Sequence, residues 1–143
     1  MKLQVSSTAT DADFAVKVID VYPPDAPALR PVPAPRPVNT VPMGGYQQLV
    51  RGEPFRAKFR RSFEKPEPLT PGKVATIEFE MPDIAHTFRP GHKIMVQIQS
   101  SWFPLIDRNP QKFMDIGKAM DTDFVKATNR IHRGSMMTLS VVP

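Results

Sequence analysis

The chain has 143 residues, enough for one domain with a modest core and too few for two. Charged residues make up 23% and hydrophobic residues 41%, a globular balance with no run near the ~20 apolar residues of a membrane span. With no cysteine there is no disulfide or thiolate metal site, and 19 Lys+Arg against 14 Asp+Glu leave a formal charge of +5.

Lys2 to Ser7 predicts a short strand. Its start, Met1-Lys2-Leu3-Gln4-Val5, lacks the apolar core of a signal peptide, and cysteine usage does not fix a compartment. Asp11-Ala12-Asp13 opens a second strand over Phe14 to Tyr22. Phe14, Val16 and Val18 share one face and Ile19 and Val21 the other, so both faces are expected to be covered. Eight of the 17 prolines fall from Pro23 to Pro42, which predicts a polyproline-like loop over 23–42 rather than an element.

Pro54 to Arg61 alternates, with Phe55, Ala57 and Phe59 on one side and Arg56, Lys58 and Arg60 on the other. That predicts an outer strand with a solvated basic face. Nucleic-acid binding would need aromatic and basic side chains on the same face; alternation separates them, so no nucleic-acid partner is expected. Val74 to Met81 alternates with Ala75, Ile77, Phe79 and Met81 inward. After the Pro90-Gly91 turn, Ile94, Val96 and Ile98 predict the next inward stripe. Asn109-Pro110 suggests a short helix through Met114, Ala127 to His132 a strand, and Met136 to Val142 the last strand. Short strands separated by turn signals indicate an antiparallel sandwich, one domain over 1–143.

The chemistry is sparse. A serine hydrolase of the α/β type needs Gly-x-Ser-x-Gly to expose its nucleophile on a tight turn, and no serine here has that setting. His86, His92 and His132 are possible bases, but no catalytic residue is assigned. His86 and His92 flank a turn with Asp83 nearby, a pattern unlike the helical i, i+4 pair of a zinc protease, and they are read as turn or surface histidines. Asp11/Asp13 and Asp121/Asp123 lack the glycine and glutamate of a calcium loop and are read as turn formers. No metal or cofactor is expected. Trp102 and Phe103 could stack on a sugar, but aromatic residues are few, and a packing role fits their setting better.

The phrase Ser100-Ser101-Trp102-Phe103-Pro104-Leu105-Ile106-Asp107-Arg108-Asn109-Pro110 is the most distinctive in the chain. Together with Asp13-Phe14 running into Val18-Ile19-Asp20-Val21-Tyr22-Pro23, with Met43-Gly44-Gly45-Tyr46, with Phe59-Arg60-Arg61-Ser62-Phe63, and with His86-Thr87-Phe88-Arg89-Pro90-Gly91-His92, it resembles the C-terminal β-domain of the X-prolyl dipeptidyl peptidase, cocaine esterase and α-amino acid ester hydrolase (glutaryl cephalosporin acylase) group. The resemblance implies an all-β, antiparallel jelly-roll β-sandwich, galactose-binding-like, here expected to lack its first strands. It also implies that the catalytic serine, aspartate and histidine lie on a separate α/β-hydrolase domain acting on X-Pro peptides, α-amino acid esters or acyl amides. Such enzymes are often periplasmic or secreted. Ser100, Ser101, Trp102, Phe103, Asp107, Arg108 and Asn109 are then candidates for docking onto that domain or a second copy of the chain, with Asn109 also capping the turn that follows. An independent carbohydrate- or ligand-binding module is the alternative.

Overall fold

The computed structural model describes residues 1–29 and 40–141. Among them the strands are β1 (Lys2–Ser7), β2 (Asp13–Val21), β3 (Gln47–Arg56), β4 (Ala75–Glu78), β5 (Lys93–Gln99) and β6 (Asn129–Ile131). They form two three-stranded antiparallel sheets, ordered β4-β1-β6 and β3-β2-β5, the all-β sandwich that the short strands predict. The described residues include no α-helix, only three 3-10 turns, and no helix long and apolar enough to cross a membrane.

The chain divides into two compact units: Met1–Val16, Glu53–Pro82 and Ile98–Pro143 in the first, Lys17–Gly52 and Asp83–Gln97 in the second. In the first, β1 is the middle strand. Leu3 lies opposite Ile77 of β4, and Val5 lies opposite Ala75 of β4 and Ile131 of β6. Alternation drives Leu3 and Val5 inward, where they meet Ile77 of β4 and Phe14 and Val16 of β2, with Ala12, Ala57 and Leu69 filling between. Both sheets thus supply the core. Phe14, at 1% exposure, contributes about 1.5–3 kcal/mol by its burial. Phe79, Met81 and Ala75 pack against the core as the alternation over 74–81 predicts. β2 buries residues on both faces, as expected.

Four expectations need correction. The strand over 54–61 stops at Arg56, and Ala57–Phe59 turn as a 3-10 helix. Two amides cause this: Ala57 N donates to the Ala12 carbonyl (2.9 Å) and Lys58 N to Asp11 Oδ1 (3.2 Å), so neither serves a β ladder. Lys58 is buried rather than solvated. On β5, only Ile98 reaches the core; Ile94 is 49% and Val96 40% exposed. β1, β4 and β6 all belong to the first unit, so the part of β5 in the second unit has no facing sheet within that unit. The helix over 109–114 is replaced by bends: Gln111 has φ of 64°, which an α-helix of L-residues does not accommodate, and Asn109 Oδ1 accepts from Gln111 N (2.8 Å) in an Asx-type turn. The last strand reduces to a single bridge between Met136 and Lys2; residues 137–141 form no strand, and Val142 lies outside the described residues.

The proline-rich loop is described at its two ends, while 30–39 lie outside the described residues. Its flanks close on each other through paired backbone bonds between Leu29 and Val41. Gly44 is required where it stands, because a Cβ there would collide with the Pro24 carbonyl.

Candidate docking surface

The loop after β5 makes a turn in which Ile106 N donates to the Trp102 carbonyl (3.1 Å). The turn pushes Phe103 and Leu105 outward, to 65% and 64% exposure, beside a half-buried Trp102. Adjacent exposed apolar side chains on one loop suit an interface better than water. Ser100, Ser101, Asp107 and Arg108 are exposed, yet each is tied to the rest of the chain by a side-chain or backbone contact. Ser100 Oγ accepts from Asn129 Nδ2 (3.3 Å), the Ser101 carbonyl from Gln99 Nε2 (2.7 Å), and the Asp107 carbonyl from Arg56 (3.2 Å). The Arg108 guanidinium lies 5.0 Å from the centre of the Phe124 ring, a cation–π contact.

Asn109 is different. It is 7% exposed, so it anchors the loop instead of meeting a partner. Its Nδ2 donates to both Asp13 Oδ1 (2.7 Å) and Asp11 Oδ2 (3.1 Å), while its Oδ1 holds the following turn. Asp11 and Asp13, read from the sequence as turn formers, are 0% and 1% exposed. Asp11 Oδ1 also accepts from the Ala12 and Lys58 amides, and Arg56 Nε approaches Asp13 Oδ2 at 3.4 Å. Lys58 Nζ donates to the Met114 carbonyl (2.8 Å), so the same node fixes the chain beyond the loop. Burial raises both carboxyls above the ordinary aspartate range; the Asn109 bond and the cations Lys58 and Arg56 pull the other way and do not overcome it.

A second polar node lies in the second unit. Asp20, 2% exposed in its side chain, accepts from His92 Nδ1 (2.7 Å) and His86 Nε2 (3.0 Å). A carboxylate only accepts, so both facing ring nitrogens carry hydrogen. Tyr22 leans on the His92 ring at 4.4 Å and Phe88 meets His86 edge-on at 4.8 Å. The two histidines are therefore not surface residues. Their partner is Asp20, not Asp83, whose carbonyl accepts from Arg51 instead. Sequence reading missed Asp20; the available signal was a carboxylate between Ile19 and Val21, on the face already given to Val16 and Val18.

His132 Nε2 lies 2.8 Å from Ser6 Oγ, a serine–histidine contact that sequence spacing could not reveal. Ser6 is 4% exposed near the end of β1, and among the described residues no carboxylate bonds His132, so the contact lacks the third member of a triad. Among the described residues no group of His, Cys, Asp or Glu has the arrangement of a metal site.

Comparison with known proteins decides the family. Residues 1–142 match the X-Pro dipeptidyl-peptidase C-terminal non-catalytic domain. The chain belongs to that family. It is 33% identical over 133 residues to the cocaine esterase of Rhodococcus sp. (strain MB1 Bresler), covering 93% of this chain and 20% of that protein. Two solved structures superpose with TM-scores of 0.78 at 43% identity: a selenomethionine-labelled α-amino acid ester hydrolase and an aminopeptidase from a marine sediment archaeon, Thaumarchaeota archaeon. Each alignment covers 92% of this chain and 20% of the other, so the chain spans about a fifth of the length of these relatives.

Proposed function

We propose that this domain is the non-catalytic β-sandwich of a longer serine hydrolase acting on X-Pro peptides, α-amino acid esters or acyl amides. Its role is to pack on the α/β-hydrolase domain and shape that domain's surroundings. The observation that carries the reading is the loop after β5: Phe103 and Leu105 are held out in water by a turn whose root, Asn109, is locked to two buried carboxyls. A rigid root with an apolar tip is the architecture of a docking element. The test is reconstitution. The purified chain should show no turnover of p-nitrophenyl acetate or an X-Pro anilide, yet should bind the separately expressed hydrolase portion. Phe103→Ser with Leu105→Ser should weaken that binding at least tenfold. Unchanged binding by the double variant would refute docking through this loop, and specific retention on an immobilised sugar would favour the carbohydrate-binding module.

A further inference from the structure

A second surface of the first unit is more aromatic than the loop after β5. Phe55 and Phe79 stack at 5.0 Å, Phe59 and Phe63 stack at 5.5 Å, and Phe63 meets Phe55 edge-on at 6.2 Å. These rings line an open groove of about 370 Å³, rimmed by Arg60, Arg61 and the glutamates of β3 and β4. Phe63 is 75% exposed, the second-highest value among the large apolar side chains described.

Met1 pairs with Phe79, one of the residues that line this groove. The Met1 amino group donates to the Phe79 carbonyl (2.9 Å), and Phe79 N returns a bond to the Met1 carbonyl (3.1 Å). Met1 and Phe79 thus continue the β1–β4 ladder one step beyond Lys2 and Glu78. In an antiparallel ladder the next reciprocal pair lies two residues on. It would join Met81 to the second residue upstream of Met1. That residue would share the face of Leu3 and Met1, so its side chain would lie over the Phe55–Phe79 stack.

We infer that, in a longer hydrolase carrying this domain at its C-terminus, the segment immediately upstream of Met1 extends β1 along Glu80–Met81 and fills the aromatic groove with apolar side chains. This rests on the reading of the chain as one part of such an enzyme. Two observations favour this occupant over a second copy: the ladder stays open at the Met1–Phe79 pair, whose Phe79 lines the groove, and about four fifths of each relative lies outside the matched region.

The experiment is amide hydrogen exchange on the longer polypeptide with its native upstream sequence, compared with residues 1–143. The expected result is exchange at Met81 and across 59–63 slowed at least tenfold in the longer chain. Slowing at 100–108 without slowing at Met81 and 59–63 would overturn the inference and leave the docking proposal standing; slowing at neither would overturn both. Protection of 59–63 that grows with concentration in residues 1–143 would assign the groove to a second copy and overturn the inference. A variant gives an independent readout: Phe63→Glu, which removes the ring contacts with Phe59 and Phe55 in both chains, should lower the melting temperature of the longer chain more than that of residues 1–143. Equal effects in both would also overturn it.

Discussion

β2 carries a buried carboxyl near each end, and the chain treats the two differently. Asp13, with Asp11 just before the strand, is served by one amide side chain, backbone N–H groups and a guanidinium. Asp20 is served by two imidazoles. The first node gathers segments far apart in sequence: its central amide reaches 98 residues back to Asp11 and 96 to Asp13. The second closes the local connection ahead of β5, with both donors drawn from the short segment His86 to His92. A single amide bridges two carboxyls, so one substitution strips a donor from both, whereas each imidazole serves one oxygen of a single carboxyl. The first node should therefore be the brittle one.

The largest effect that tests this contrast is at Asn109. Asn109→Ala removes two hydrogen bonds to buried carboxyls. At about 1.5–3 kcal/mol for each bond to a charged group, the loss is about 3–6 kcal/mol, comparable to the whole stability of a small domain. Asn109→Asp should be worse, since it places a third carboxyl against two. Urea denaturation followed by tryptophan fluorescence measures both. A loss below about 1 kcal/mol would mean that water replaces the amide and that the node is not brittle.

The next effect belongs to the second node. His92→Ala leaves Asp20 Oδ1 without its donor and should cost about 1–3 kcal/mol. His86→Ala should cost less, because its bond is longer and its ring more exposed. If the donors are redundant, the double variant should cost more than the sum of the two singles, as the first loss is buffered by the remaining imidazole. Strict additivity would show two independent bonds.

These nodes also mark where sequence reading stopped. Strand identity was legible wherever apolar residues alternated over a covered face, as in Leu3/Val5, Phe14/Val16 and Ala75/Ile77/Phe79. It failed where a polar group redirected the backbone. Phe55-Arg56-Ala57-Lys58-Phe59 has a strand's alternation, yet Asp11 Oδ1 and the Ala12 carbonyl take the amides of Lys58 and Ala57 and turn the chain. Ile94 and Val96 alternate correctly but lie where their own unit has no second sheet. For the candidate site, the loop from Ser100 to Asn109 was recognisable as a phrase, but the burial of Asn109 was not. It depends on two aspartates about a hundred residues earlier, and a polar residue in a loop looks the same in sequence whether it faces water or two carboxyls.

A smaller effect separates anchoring from packing around the first node. Arg56 is partly exposed, and its 3.4 Å approach to Asp13 is long for a charge-assisted bond. Arg56→Met keeps much of the stem and should cost about 0.5–1 kcal/mol, within the range of exposed ion pairs. A cost like that of Asn109→Ala would move the anchor of the node from the amide to the guanidinium.

The smallest effect is a pH response whose sign is set by burial. Asp11 and Asp13 are both raised in the folded chain above the ordinary value of 3.8, chiefly by desolvation. When the folded chain holds protons more tightly than the unfolded chain, lowering the pH favours the fold. The contribution of these two groups to stability should therefore rise as pH falls through their raised values, and be complete below 3.8. Ordinary paired carboxylates behave in the opposite sense. Asp123, lowered by its bond to Lys112, is one; its contribution is present above 3.8 and lost as pH falls through its folded value. The two can be separated by denaturant midpoints measured from pH 7 down to the ordinary aspartate range in the parent and in Lys112→Met. In Lys112→Met the loss from Asp123 is suppressed, so stability should fall less, or rise, on acidification. Arg56→Met should sharpen the rise further, because the guanidinium is one of the groups that oppose desolvation at Asp13. If acidification instead destabilises Lys112→Met as steeply as the parent, the buried pair is not storing the desolvation penalty assigned to it.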